Sequence, residues 1–212
     1  MVFVSEMGVR IFDISMEIMG GMLTYPGNPP LKIKRIMRIP KSKNNVSSIQ
    51  MGSHTGTHVD SGLHIRNKGK GADSLPLGSL YGDARVLDVS RMGNSIGKEE
   101  LSKFDIRKGE IILLKTNNSL KQYSRFRKDF AHVSIDGARY LASRKVRTLG
   151  VDYLSVKRFG GDDIVHNIII ENMTLFEGLC LKGIREGAYT FAGLPLRIDC
   201  DGSPARAILI QD

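Results

Sequence analysis

The chain has 212 residues, of which 41% are hydrophobic and 25% charged. This is an ordinary globular composition that excludes a disordered, collagen-like or coiled-coil chain. No apolar run approaches the roughly 18 residues of a membrane span, the start MVFVSEMGVRIFDIS lacks a secretion-signal pattern, and two cysteines are too few for a disulfide scaffold, so the cytoplasm is the expected compartment.

In chain order, Ile11 to Ile14 reads as a strand, and the Gly- and Pro-rich stretch from Gly20 to Pro30 as a loop. Ile33, Ile36 and Ile39 fall in a basic strand, and Val46 to Met51 forms another. Ala84 to Val89 and Ile111 to Lys115 are compact, β-branched and apolar, the pattern of buried strands. Ser134 is placed to cap a helix whose Ile135, Ala138, Leu141, Ala142 and Val146 share one face. Thr148 to Val151 follows as a buried strand, and further strands are expected around Phe176 to Leu181, Leu196 to Ile198 and Ala205 to Ile210. No linker or repeat divides the chain, so residues 1–212 read as one α/β domain. Lys and Arg number 31 against 22 Asp and Glu, a net charge of +9. The basic runs, such as Lys32-Ile33-Lys34-Arg35 and Arg125-Phe126-Arg127-Lys128, are short and match no nucleic-acid-binding signature. The expected partner is therefore a small-molecule substrate, with neither nucleic acid nor membrane.

Three of the five histidines lie in Ser53-His54-Thr55-Gly56-Thr57-His58-Val59-Asp60-Ser61-Gly62-Leu63-His64, beside one carboxylate. Imidazole and carboxylate are ligands for zinc and similar divalent ions. Alternate side chains of an extended chain share a face, so His54, His58, Asp60 and His64 can converge. A helix would turn Asp60 away from His58, and Gly56, Thr57, Val59 and Gly62 disfavour one. The segment predicts a strand-and-loop metal site with His54, His58 and Asp60 as ligands. His64 is a further ligand or a free acid–base group, since imidazole titrates near neutrality. His166 and Glu177 are candidate ligands for a second ion. Asp152, at a strand end, is either a functional carboxylate or a cap for the next turn. His132, Cys180 and Cys200 fit no motif; packing is expected for both cysteines.

The segment H-T-G-T-H-V-D-x-x-x-H resembles the signature of the metal-dependent cyclase family, which includes kynurenine formamidases and isatin hydrolases. Asp13-Ile14-Ser15, Tyr25-Pro26-Gly27-Asn28-Pro29-Pro30, Gly150-Val151-Asp152-Tyr153-Leu154-Ser155, His166 through Glu177-Gly178-Leu179, Gly193 to Ile198 and Asp201 to Ala207 resemble its other motifs in order. The resemblance implies a swivelling β/β/α fold with a mixed sheet core, and a homodimer or homotetramer. It implies one or two divalent ions per subunit, zinc before manganese. His54, His58 and Asp60 would hold one ion, Asp60 would bridge to a second held by His166 and Glu177, and His64 would be catalytic. Ser61-Gly62 stands where family members often carry Ala-Pro, which points to a looser loop and an altered pocket. The implied activity is hydrolysis of a non-peptide amide, an N-formyl aryl amine or a cyclic amide; ring closure and a metal-binding protein without catalysis are the alternatives. A structural zinc site is closed by four ligands, whereas three ligands beside an unassigned histidine fit an open, catalytic site.

Overall fold

The computed structural model describes residues 2–4, 8–121 and 125–211. The chain starts with β1 (Val2–Val4) and β2 (Arg10–Asp13), followed by the loop expected over residues 20–30. A hairpin comes next, β3 (Lys32–Met37) and β4 (Val46–Gln50). β5 (His58–Asp60) then leads into a single helical turn, α1 (Gly62–Ile65). After α2 (Leu77–Leu80), β6 (Tyr81–Asp88), β7 (Ser95–Ile96) and α3 (Lys98–Leu101), the chain enters its apolar centre at β8 (Ile111–Lys115). β9 (His132–Val133), α4 (Ile135–Ser143) and β10 (Thr148–Val151) follow, and α5 (Ile164–Asn172) delivers the chain to β11 (Thr174–Glu177). The long strands β12 (Gly187–Pro195) and β13 (Gly202–Gln211) complete the sheet.

The main sheet is mixed. β6, β8, β10 and β11 run parallel to one another, while β12 pairs antiparallel with β6 and β13, and β5 antiparallel with β11. β5 pairs with β11 on one side and with the start of β13 on the other, so the sheet closes on itself like a barrel. The expected α/β class and mixed sheet core are what the structure has. β8 shows why its sequence has no polar alternation. Ile111 and Leu113 face the barrel interior with Val59, Phe176 and Phe191, while Ile112 and Leu114 face α4 and α5. A strand covered on both faces is apolar throughout. α4 begins where its cap predicts: the Ser134 hydroxyl accepts the Gly137 N–H at 3.3 Å.

Three expected elements shift. The strand expected over Phe176 to Leu181 is β11, which starts at Thr174 and ends at Glu177. Residues 196–198 are not a strand; β12 precedes them and ends at Pro195, a residue that lacks the N–H needed to extend a ladder. β3 stops at Met37, short of Ile39, and all its residues are exposed. The expected packing of the cysteines is also corrected: Cys180 is exposed and Cys200 half-buried. No helix among the described residues is long and apolar enough to cross a membrane.

Candidate metal centre

Three segments meet at β5. Its register sets His58 opposite Glu177 of β11, and Asp60 opposite Gly202 of β13. Just before β5, Gly56 adopts φ +67°, a left-handed backbone that favours glycine. That turn aims the Gly56 carbonyl at His58 Nδ1, 2.9 Å away. Nδ1–H donates there, which turns His58 Nε2 inward. The first turn of α5 brings His166 in, and α1 carries His64, whose ring centroid lies 4.3 Å from that of His54 and 5.4 Å from that of His166.

Asp60 is the hub. Its Oδ1 lies 2.9 Å from His54 Nδ1 and 3.4 Å from His58 Nε2, and its Oδ2 lies 3.4 Å from His166 Nε2. Glu177 reaches the same centre, with Oε2 3.6 Å from His58 Nε2 and Oε1 3.2 Å from His166 Nε2. The Val156 N–H donates to Glu177 Oε1 at 2.7 Å and fixes that carboxylate. His58, Asp60, His166 and Glu177 are all buried.

The charges require a cation. Asp60 and Glu177 are buried together, and among the described residues their ion-pair partners are imidazoles, with no Lys or Arg. Burial alone would push the imidazoles down, but Asp60 and Glu177 override it and both His58 and His166 are pushed up to about 10. Burial would raise the Asp60 carboxyl, yet the facing imidazoles hold it well below the usual range. Protons on histidines thus stand in for positive charge. Orphaned atoms say the same. Among the described residues three buried side-chain polar atoms lack a hydrogen-bond partner, and two of them are His58 Nε2 and Asp60 Oδ2. An unpaired buried polar atom is costly unless a ligand completes it. A divalent ion fits this donor set. His54, Asp60 and His64 form one cradle and His58, Asp60 and Glu177 a second, with Asp60 common to both.

The six residues singled out from the sequence, His54, His58, Asp60, His64, His166 and Glu177, are therefore brought together. His132 lies apart, its Nδ1 3.3 Å from the Phe130 carbonyl. Ser61-Gly62 is tied down: the Ser61 hydroxyl donates to the Cys200 and Asp201 carbonyls at 3.0 Å, and Leu63 N–H to the Lys70 carbonyl at 3.0 Å. Asp201 also belongs to the site; in the sequence it stands only as the first residue of a family-like stretch, with no role assigned. It lies 2.9 Å from His54 Nε2, 147 residues away in sequence. A cavity of ≈ 230 Å³ opens over the cluster, walled also by Tyr25, Asn28, Leu154, Lys157 and Asp163.

Comparison with known proteins agrees with this architecture. The Cyclase family model matches residues 12–158. The chain belongs to the cyclase family. The kynurenine formamidase of Bacillus thuringiensis (strain Al Hakam) is 33% identical to this cyclase-family chain, over 93% of it and 95% of the relative. A solved structure described as a potential metal-dependent hydrolase with cyclase activity is 32% identical, with a TM-score of 0.86 over 96% of this chain and 98% of the other. Isatin hydrolase A from Labrenzia aggregata shares the fold at 19% identity, with a TM-score of 0.82 over 95% of this chain and 93% of the other. This member of the cyclase family is a hydrolytic enzyme that uses a divalent metal.

Proposed function

We propose that the chain hydrolyses an N-formyl aryl amine of the N-formylkynurenine type to the aryl amine and formate. The reading rests on Asp60, a buried carboxylate with one oxygen unsatisfied, ringed by imidazoles at the floor of a small cavity. Relatives named kynurenine formamidase over nearly the full chain support the substrate class. The sequence reading would put His54, His58 and Asp60 on one ion and His166 and Glu177 on a second; the fold groups His54 with Asp60 and His64, and His58 with Asp60 and Glu177, so Asp60 is the donor common to both arrangements. Nitrogen and oxygen donors in this number suit zinc first and manganese second. Such an ion supplies Lewis acidity, polarising a carbonyl and easing deprotonation of water near pH 7.

The side chains do the rest. His64 faces solvent at the cavity, with 31% of its side chain exposed. Partial burial holds its imidazole below the ordinary value, so it is neutral near pH 7. It accepts the proton of the attacking water and passes it to the leaving nitrogen, which departs poorly as an anion. Tyr25 and Leu154 give the cavity wall apolar surface for an aryl ring. The test is a panel of N-formyl aryl amines, isatin and lactams, assayed before chelation, after it and after metal return. Metal-restored deformylation is expected. Opening of isatin or lactams with formyl amides left intact would replace this reading by cyclic-amide hydrolysis. A metal-loaded protein that cleaves none of them would be a binding protein.

The same proposal includes a homodimer or homotetramer working in the cytoplasm. The β3–β4 hairpin presents Ile33, Ile36 and Ile49 at 52%, 57% and 60% exposure, apolar surface of the kind a second copy covers. The exposed thiol of Cys180 suits a reducing compartment. Light scattering should give a dimer or tetramer, and Ile33→Lys with Ile49→Lys should shift it toward monomer.

A further inference from the structure

We infer that Asp201, backed by Gly202, is a positioning residue that fixes His54 in its metal-binding pose. This rests on the reading of His54 as a ligand. Both nitrogens of His54 face carboxylate oxygens: Nδ1 lies 2.9 Å from Asp60 Oδ1 and Nε2 2.9 Å from Asp201 Oδ2. A neutral imidazole carries one proton, and a ligating nitrogen carries none. The nitrogen beside the shared carboxylate is Nδ1, so Nε2 keeps the proton and donates it to Asp201. A carboxylate behind an imidazole selects its tautomer, aims the other lone pair and raises its basicity.

Asp201 is itself held for this task. The Ser53 hydroxyl, one residue before His54, donates to its Oδ1 at 2.8 Å. The carboxylate is therefore clamped between a hydroxyl and a ring on the same short loop. Gly202 closes the other side of the ring. A Cβ there would lie 2.7 Å from His54 Cε1 and 3.0 Å from Nδ1, so any side chain displaces the imidazole. The arrangement is built into strand pairing, since Gly202 is the register partner of Asp60. One strand carries the hub carboxylate, and its neighbour carries the groups that orient the imidazole next to it. His58 solves the same problem with the Gly56 carbonyl; His54 uses a charged acceptor, which makes the stronger bond.

The experiment measures zinc affinity by chelator competition for the full-length wild type and for Asp201→Asn, Asp201→Glu, Gly202→Ala, Ser53→Ala and His54→Ala. Melting of each chelated variant checks that it folds. Asp201→Asn should bind zinc 10–100-fold more weakly, the cost of losing the group behind a ligating histidine. Asp201→Glu should recover part of that loss. Gly202→Ala should weaken zinc by crowding the ring, and Ser53→Ala should do so less than Asp201→Asn. Wild-type affinity in a folded Asp201→Asn, with zinc lost in His54→Ala, overturns the inference and leaves His54 a ligand. Wild-type affinity in His54→Ala overturns both. If Asp201→Asn does not fold, Ser53→Ala and Gly202→Ala decide, and wild-type affinity in both overturns the proposal.

Discussion

Among the described residues three carboxylates are buried at strand ends, Asp60, Asp152 and Glu177, and two of them, Asp152 and Asp60, have opposite surroundings. Asp152, one residue past β10, accepts from Thr116 N and Oγ1 at 2.8 and 2.6 Å, and from Ser119 N and Oγ at 3.1 and 2.5 Å. Burial pushes its carboxyl above the ordinary value in spite of these neutral donors. Asp60, at the end of β5, meets three imidazoles, keeps Oδ2 unpaired and is held far below the ordinary value. Burial is common to both; the partners differ. A carboxylate whose lone pairs are filled by hydroxyls and amides ties a turn to a strand. A carboxylate with a spare oxygen among basic nitrogens is waiting for a cation. Asp152 thus has a structural role, but it ties down the turn after β8 rather than the turn that follows it.

The sharpest way to break this contrast is to neutralise each carboxylate. Asp60→Asn should strip the metal and reduce turnover by more than the 10–100-fold caused by changes behind a ligand, as measured by elemental analysis and deformylation rate. Metal retained at the wild-type level would remove Asp60 from the centre. Next in size, His64→Ala should keep its metal and lose about 10²–10⁴-fold in kcat; a wild-type rate would strike His64 from the mechanism. Asp152→Asn should do the reverse of both. Metal content stays, and stability falls by about 1–3 kcal/mol as buried hydroxyl and amide bonds lose their acceptor, visible as a lower Tm. Unchanged Tm with lost metal would erase the distinction.

The smallest effect concerns pH. In chelated protein His58 and His166 titrate at about 10, above the ordinary 6.5. The folded state then binds protons more tightly than the unfolded one, so their contribution is complete below pH 6.5 and lost as pH rises toward 10. Tm of the chelated protein should therefore fall across that window. The metal-loaded protein should show a shallower fall, because metal replaces those protons and binds better as pH rises. Parallel curves would contradict proton-for-metal exchange.

Much of this was legible in the sequence where local and tertiary preferences agree. Ile111 to Lys115 and Thr148 to Val151 are strands with the expected bounds, and Ser134 caps α4. The convergence of His54, His58 and Asp60 follows from chain geometry over seven residues. α5 was not legible: Ile164-Val165-His166-Asn167-Ile168-Ile169-Ile170 is rich in β-branched residues, which favour strands. Packing of Val165 and Ile169 in the same core as Ala138 and Leu141 of α4 decides for helix. β12 was missed because Gly187, Ala188, Ala192 and Gly193 dilute its pattern. Gly193 is small for a tertiary reason: a Cβ there would lie 2.5 Å from Phe191 Cζ. The single turn that carries His64 was also unforeseen. Asp201 opens a family-like stretch, but its role was not legible, because its partner is set by the β5–β13 pairing, a contact between distant parts of the chain.

That pairing has a consequence for biosynthesis. β5 has no lasting seat until both β11 and the opening residues of β13 are present. On a ribosome the motif that grips the ion emerges long before the last of these neighbours. The cofactor pocket of a nascent polypeptide therefore cannot mature until the opening residues of β13 have emerged.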